Sequence, residues 1–199
     1  ATMHVKSFVY MCMADIPEYN EYLKHCEFDS VFMWHKRFFQ VIESKNRPQR
    51  WLLKDPSHIG HIPSILKTYP NAKFINIHRD PTEAMGSFCS LTKNIRSAFT
   101  KKINTESIGK TVTDFWSHNI NKGLGDRSLV DSNNIVDIRY SDFVKSPLLE
   151  IKKVYASLQI DMTIEAENNI QQFLLNGKSK SKRKHDYSLN EFGLNDKNI

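Results

Sequence analysis

The segment from residue 73 to residue 96 constrains the fold most, because it predicts a strand followed at once by a well-capped helix. Residues 73–78, K-F-I-N-I-H, are the β-branched and apolar run expected of a strand. The motif D-P-T-E at 80–83 then supplies an N-cap acceptor, a proline at the first helical position and a glutamate three residues after the cap. The spacing therefore predicts a helix over 81–96.

Apolar runs at 50–53 and 135–139 predict two further strands. Strands that alternate with helices indicate parallel pairing and an α/β sandwich, whose ligands bind at the carboxyl ends of the strands. The remaining predicted helices are residues 30–43 with Ser30 as N-cap, 59–69, 108–120, 147–158, and 163–176 with Gly177 as C-cap.

Composition excludes several classes of protein. With 40% hydrophobic and 25% charged residues among 199, the chain can bury a core, and no apolar run is long enough to span a membrane. Five cations between residues 178 and 184 account for most of the net charge of +6, so no general nucleic-acid-binding surface and no specific nucleic acid is predicted. Three widely spaced cysteines without a C-x-x-C motif indicate neither a disulfide framework nor a zinc ribbon. A reducing compartment, and hence a cytoplasmic location, is therefore expected.

Arg79 and Ser87 are candidate anion-binding residues. Arg79 stands where a predicted strand gives way to a helix, and a helix start offers free N–H groups to an anion. Its guanidinium suits phosphate oxygens, and Ser87 returns to nearly the same helical face as Asp80. The alternative is an arginine paired with Asp80 or Glu83 and an ordinary helix serine.

Lys54 and His58 follow another predicted strand and are candidate catalytic residues. A lysine at a strand end can neutralise charge on a leaving group, and an imidazole can accept a proton from a hydroxyl near neutral pH. The alternative is a surface lysine and a histidine that only packs. His61 competes with His58 but lies further into the predicted helix.

The chain is predicted to be a single domain over 1–199, in which 178–199 is a basic C-terminal segment docked on the rest. Charge runs are usually solvated, but four apolar residues follow this one and indicate that it docks. They are Tyr187, Leu189, Phe192 and Leu194.

Four blocks, in this order, resemble the bacterial-type sulfotransferase family, whose members use 3′-phosphoadenosine-5′-phosphosulfate (PAPS). They are W-L-L-K-D-P-S-H at 51–58, Y-P-N-A-K-F-I-N-I-H-R-D-P-T-E-A-M-G-S at 69–87, I-R-Y-S-D-F at 138–143 and D-Y-S-L-N-E-F-G-L at 186–194. The resemblance implies a three-layer α/β sandwich with a central parallel sheet flanked by helices, the P-loop-like sulfotransferase fold. It also implies transfer of a sulfuryl group from PAPS to an acceptor hydroxyl or amine, with no metal.

The resemblance assigns roles to particular residues. Lys54 and His58 look like the transition-state cation and the general base, although the cytosolic relatives have K-x-H where this chain has K-x-x-x-H. Arg79 and Ser87 look like the pair that holds the nucleotide 3′-phosphate. The other nucleotide-binding residues implied are Tyr140, Arg183 and Lys184.

The family's Gly-rich loop for the 5′-phosphosulfate does not occur in this sequence. We therefore expect the chain to be N-terminally incomplete, with the first strand and this loop missing. The alternative function is a nucleotide- or nucleic-acid-binding α/β module without turnover. A small-molecule kinase is a third possibility, against which the absence of a Walker lysine counts.

Overall fold

The computed structural model describes residues 6–45, 48, 50–177 and 187–195. The chain forms two compact units. The first, termed the helical unit, comprises Ala1–Ala72, Met85–Leu129 and Tyr187–Ile199, and the second, termed the strand unit, comprises Lys73–Ala84 and Val130–Asp186.

The strand unit contains two parallel strands, β1 (Phe74–His78) and β2 (Ile135–Arg139), paired from Phe74↔Ile135 to His78↔Arg139. Its core joins Ile138 of β2 to Val154 and Leu158, so that β2 packs on the helix Pro147–Ser157 and on its C-cap residue. Three helices belong to this unit after β2: α7 (Tyr140–Lys145), α8 (Pro147–Ser157) and α9 (Ile164–Gly177).

The helical unit is built around one long helix, α6 (Thr105–Asp126), whose N-cap Asn104 accepts a hydrogen bond from the backbone N–H of Ser107. Its buried face carries Ile108, Val112, Phe115 and Trp116 at helical spacing. The other elements are α1 (Val9–Met13), α2 (Pro17–His25), α3 (Asp29–Glu43), a 3₁₀ helix at Pro56–His61, α4 (Ile62–Thr68), most of α5 (Pro81–Arg96), and short 3₁₀ helices at Arg127–Leu129 and Leu189–Phe192. A further 3₁₀ turn, Ser132–Asn134, precedes β2 in the strand unit.

The helix predicted from D-P-T-E is confirmed at both ends. Asp80 caps α5, since its Oδ1 accepts hydrogen bonds from the backbone N–H groups of Thr82 (2.9 Å) and Glu83 (3.2 Å). The Thr82 hydroxyl also donates to Asp80. This side-chain hydrogen bond contributes most, with the two backbone bonds, to holding the pKa of Asp80 below its usual range. The α/β class with parallel strands is confirmed as well.

Three local predictions were wrong. Residues 50–53 do not form a strand, because no strand of the described chain pairs with them and their side chains are exposed. Ser30 lies inside α3 instead of capping it, since α3 begins at Asp29. The helix predicted over 59–69 is divided into a 3₁₀ turn and α4, because Pro56 and the Asp55 cap start a tight turn earlier. The short helix α7 was not foreseen.

Apolar side chains of the C-terminal segment are buried within the helical unit. Phe192 is 1% exposed and Leu194 is nearly as buried. Docking of the whole segment 178–199 stays a prediction, because residues 178–186 and 196–199 lie outside the described residues. In the described part of the chain, we find no helix that is both long enough and apolar enough to cross a bilayer.

Candidate active site

Lys54 and His58 lie on a rigid turn in the helical unit. Asp55 begins the turn: its Oδ1 accepts hydrogen bonds from Ser57, from the backbone N–H at 2.8 Å and from the hydroxyl at 2.6 Å. This cap sets the 3₁₀ helix that carries His58, while Lys54 stays exposed just before it. The sequence interpretation placed Lys54 at the end of a strand, whereas coil precedes it in the structure. The catalytic roles of Lys54 and His58 stay predictions.

Close backbone packing on α6 fixes the position of this turn. A Cβ added at Gly123 of α6 would come within 2.5 Å of the carbonyl oxygen of Ile59. A Cβ at Gly60 would meet the side-chain oxygen of Asn119 at 2.0 Å. At Gly123 only glycine allows this approach to backbone, whereas a side chain at Gly60 would require Asn119 to move. The two glycines thus let the His58 turn pack closely against the central helix.

His58 is suited to accept a proton. Its ring lies beside Phe32, with centroids 6.0 Å apart. Burial lowers the pKa of His58 below the usual 6.5, and the nearby Asp55 carboxylate opposes that effect only in part. His58 is therefore neutral at pH 7, which is the state that a general base requires.

His35 is a neighbouring residue to which the sequence interpretation gave no role. Its ring packs on the same Phe32 side chain, with centroids 6.1 Å apart, and its Nδ1 lies 2.8 Å from the Tyr69 hydroxyl. Burial lowers the pKa of His35, and the charge of His58 lowers it further. Only the fold could reveal this pairing, because His35 and Tyr69 are far apart in sequence and follow no common motif.

His61, the competing candidate, is mainly a packing residue. Its ring stacks on Phe28 with centroids 3.6 Å apart and planes inclined by 20°. Burial is the main cause that lowers the pKa of His61 to about 4, with help from the charges of Lys122 and His58. A base this weak takes a proton less readily than His58 does.

In the strand unit, Arg79 and Tyr140 come together at the carboxyl ends of the paired strands. Arg79 follows β1 and Tyr140 follows β2, and the guanidinium lies 5.1 Å from the centre of the Tyr140 ring. Such a cation–π contact orients the planar guanidinium. The parallel pairing predicted from the sequence thus accounts for the meeting of these two residues.

Arg79 also forms an ion pair, as the alternative interpretation had it. Its Nε lies 3.3 Å from Oε2 of Glu83, and the arginine side chain is 38% exposed. An exposed pair of this kind is weak and leaves the other guanidinium N–H groups available to a ligand. The helix N–H groups are not equally available, since Asp80 already accepts from two of them. Any anion site here therefore depends on the Arg79 side chain more than on the helix start.

The remaining predicted site residues have different outcomes. Ser87 lies on the second turn of α5 and is partly buried. Arg183 and Lys184 lie outside the described residues, so their predicted contact stays a prediction. No group of His, Cys, Asp or Glu within the described ranges could hold a metal ion.

The structure is that of an α/β protein in which a basic and a hydroxyl side chain, Arg79 and Tyr140, follow two parallel strands. Comparisons with known proteins identify its class as the sulfotransferases. The sequence profile described as "Sulfotransferase family" matches residues 2–164. The chain belongs to this family, and the resemblance found in its sequence is confirmed.

Characterised relatives are mycobacterial. Omega-hydroxy-beta-dihydromenaquinone-9 sulfotransferases of Mycobacterium bovis and Mycobacterium tuberculosis are each 26% identical over 151 residues, covering 71% of this chain and 38% of the relative. Two crystal structures of sulfotransferases are similar to this chain, one from Mycobacterium tuberculosis (27% identity, TM-score 0.83) and one from Mycobacterium avium (25% identity, TM-score 0.86). Each match covers 96% of this chain and 49% of the crystallised chain. The predicted fold class is confirmed, and the chain spans about half the length of these structures or less.

Proposed function

We propose that this chain carries the nucleotide-binding and catalytic residues of a sulfotransferase that moves a sulfuryl group from PAPS to an acceptor hydroxyl. Family membership supports the reaction class. The observation that carries the residue assignment is the neutral, partly buried His58 on a capped turn directly after an exposed lysine. The acceptor hydroxyl is proposed because the relatives' name gives omega-hydroxy-beta-dihydromenaquinone-9 as their substrate.

The proposed step is an in-line displacement at sulfur. The acceptor oxygen forms a bond to sulfur as the bond from sulfur to the 5′-phosphate oxygen breaks, and the electron pair of that bond stays on the phosphate. His58 takes the acceptor proton, and Lys54 stabilises the charge growing on the phosphate. The products are a sulfate ester and adenosine 3′,5′-bisphosphate.

Binding of the donor is assigned to residues away from the reacting sulfur. Arg79 would contact the 3′-phosphate with guanidinium N–H groups, and Ser87 would donate its hydroxyl to the same group. Tyr140 would hold the guanidinium in place through the contact already described. Arg183 and Lys184 would add positive charge to the same phosphate.

Turnover of PAPS by the full-length protein tests this proposal. We expect release of adenosine 3′,5′-bisphosphate, followed by chromatography, when PAPS is mixed with apolar alcohols and hydroquinones. Lys54→Ala should lower kcat by about 10²–10³-fold with little change in nucleotide affinity, because the lost charge acts on the transition state. Lys67→Ala, which removes an exposed lysine paired with Asp29, is the matched control and should leave the rate unchanged.

The pH profile tests His58 separately. Because its pKa lies below 6.5, the rate should be flat above that pH and fall as the imidazole protonates at lower pH. His58→Gln should remove this acid limb together with most of the rate. If the full-length protein binds the nucleotide tightly but turns over PAPS with none of the acceptors, the binding-module alternative is correct and the catalytic assignment is wrong.

A further inference from the structure

Helix α3 exposes an apolar row in addition to its buried one. Val31 and Phe32 are buried, whereas Trp34, Phe38 and Val41 are 57%, 52% and 71% exposed. Trp34 and Phe38 are four residues apart, and Phe38 and Val41 are three apart, so all three lie along one side of the helix. An ordinary helix of a globular protein presents polar groups on the side away from its core, so this second apolar row needs a partner.

The row continues onto the coil before Lys54. The Phe38 and Phe39 rings lie 5.8 Å apart, and Phe39 in turn lies 4.5 Å from Trp51. The indole N–H of Trp51 donates to the Glu43 carboxylate at 2.5 Å, which holds the coil beside the helix. Leu52 follows and is 86% exposed. We call this area the α3 surface; it comprises Trp34, Phe38, Val41, Ile42, Trp51 and Leu52.

The stretch of sequence that carries the α3 surface is rich in cations. Residues 34–53 carry five Lys and Arg and one Glu, for a net charge of +4. Outside this stretch and the basic run at 178–184 the chain carries a net charge of −3, so the two segments hold all of its excess positive charge. Among the cations, the Arg37 guanidinium lies 5.0 Å from the Trp34 ring, directly beside the apolar row.

Exposed Trp, Phe and Leu together with Lys and Arg are the composition of a surface that lies in the headgroup region of an anionic bilayer. Indole rings favour the boundary between headgroups and acyl chains, and arginine can pair with lipid phosphates from there. A second copy of the chain bound through the same surface would bring two stretches of net charge +4 together, and their repulsion disfavours it. Exposed aliphatic side chains at Val41, Ile42 and Leu52 fit acyl chains and not nucleobases.

We propose that the α3 surface binds the surface of an anionic phospholipid bilayer, with the indoles of Trp34 and Trp51 at the level of the headgroups. Leu53 is followed directly by Lys54, so this contact would bring the candidate catalytic turn next to lipid. Membrane binding does not depend on sulfuryl transfer, and the two proposals can fail separately.

Tryptophan fluorescence with vesicles tests the proposal on the whole chain. The protein has three tryptophans, of which Trp116 is buried. We expect vesicles of phosphatidylcholine with phosphatidylglycerol to shift the emission to the blue, and brominated acyl chains to quench it. Phosphatidylcholine alone should do much less. The Trp34→Phe and Trp51→Phe double variant, which keeps only Trp116, should still bind in co-sedimentation but lose both the shift and the quenching.

Charge variants separate this surface from the C-terminal basic run. Each cation at an anionic membrane contributes about 1 kcal/mol, so Arg37→Gln with Arg50→Gln should weaken binding about thirtyfold. Neutralising the five cations at 178–184 should leave the quenching of Trp34 and Trp51 in place. Phe173→Ser with Leu175→Ser removes two equally exposed apolar residues from α9 and should have no effect.

Several outcomes would overturn the proposal. Binding that needs the 178–184 cations and leaves the tryptophans unquenched would assign the membrane contact to that segment. A lipid-independent dimer in light scattering that Trp34→Ala dissociates would assign the α3 surface to self-association. Equal blue shifts with single-stranded RNA and with vesicles would show a non-specific basic and aromatic surface. No shift with anionic vesicles would remove the proposal altogether.

Discussion

Replacement of His61 by phenylalanine should make the helical unit less sensitive to acid. The His61 ring is stacked on Phe28, and burial lowers its pKa to about 4 from the ordinary 6.5. In the unfolded chain the imidazole binds a proton near pH 6.5, whereas the folded state resists protonation until about pH 4. Stability is therefore fully present above pH 6.5 and is lost as the pH falls toward 4.

The size of this effect follows from the two pKa values. At pH 4.5 the unfolded imidazole is almost fully protonated, whereas the folded one is mostly neutral. Between pH 7 and pH 4.5, His61 alone therefore lowers the free energy of unfolding by about 2 kcal/mol. His61→Phe keeps an aromatic ring on Phe28 and removes the titration. The variant should therefore lose about 2 kcal/mol less free energy of unfolding over this interval than the wild type.

Urea unfolding at the two pH values measures this difference. Tryptophan fluorescence is a suitable probe because Trp34, Trp51 and Trp116 all lie in the helical unit. His25→Gln is the matched control, since it removes an imidazole whose side chain is 72% exposed. If His61→Phe and the wild type show the same pH dependence, the buried-imidazole explanation is refuted.

Two further predictions concern packing in each unit. Gly123→Ala should lower the free energy of unfolding by about 1–3 kcal/mol, because its Cβ would press on the backbone of Ile59. Gly125→Ala lies two residues further along α6, where the added Cβ would meet no atom within 4 Å, so it should be neutral or stabilising. Urea unfolding compares the two variants, and equal losses of unfolding free energy would contradict the close approach. In the strand unit, Leu158→Ala should cost about 2–5 kcal/mol, seen as faster amide exchange in β2, and unchanged exchange would contradict the core described here.

The features best predicted from the sequence are those that neighbouring residues determine. Asp80, Pro81 and Glu83 specify the start of α5 without help from the rest of the chain, and the structure shows that start. The parallel pairing of β1 with β2 was expected from the alternation of strands with helices, and it brings Arg79 and Tyr140 to the same end of the sheet. Local chemistry and strand direction sufficed for this part of the site.

Features that depend on distant residues were missed. The apolar run at 50–53 resembles a strand, but a strand requires a partner, and the described chain provides none for it. The hydrogen bond between His35 and Tyr69 joins residues of α3 and the end of α4, which only folding brings together. The free amides expected at the start of α5 were likewise absent, because the same Asp80 that makes the helix predictable uses them.

Arg79 and Ser87 are proposed to bind a phosphate on the 3′ position of the nucleotide. Calorimetric titration with adenosine 3′,5′-bisphosphate and with adenosine 5′-monophosphate tests it most directly, because the two ligands differ only in that phosphate. We predict that the wild type prefers the bisphosphate and that Arg79→Ala and Ser87→Ala lose this preference while binding the monophosphate as before. Equal affinity of the wild type for both ligands, or an unchanged preference in Arg79→Ala, would contradict the account.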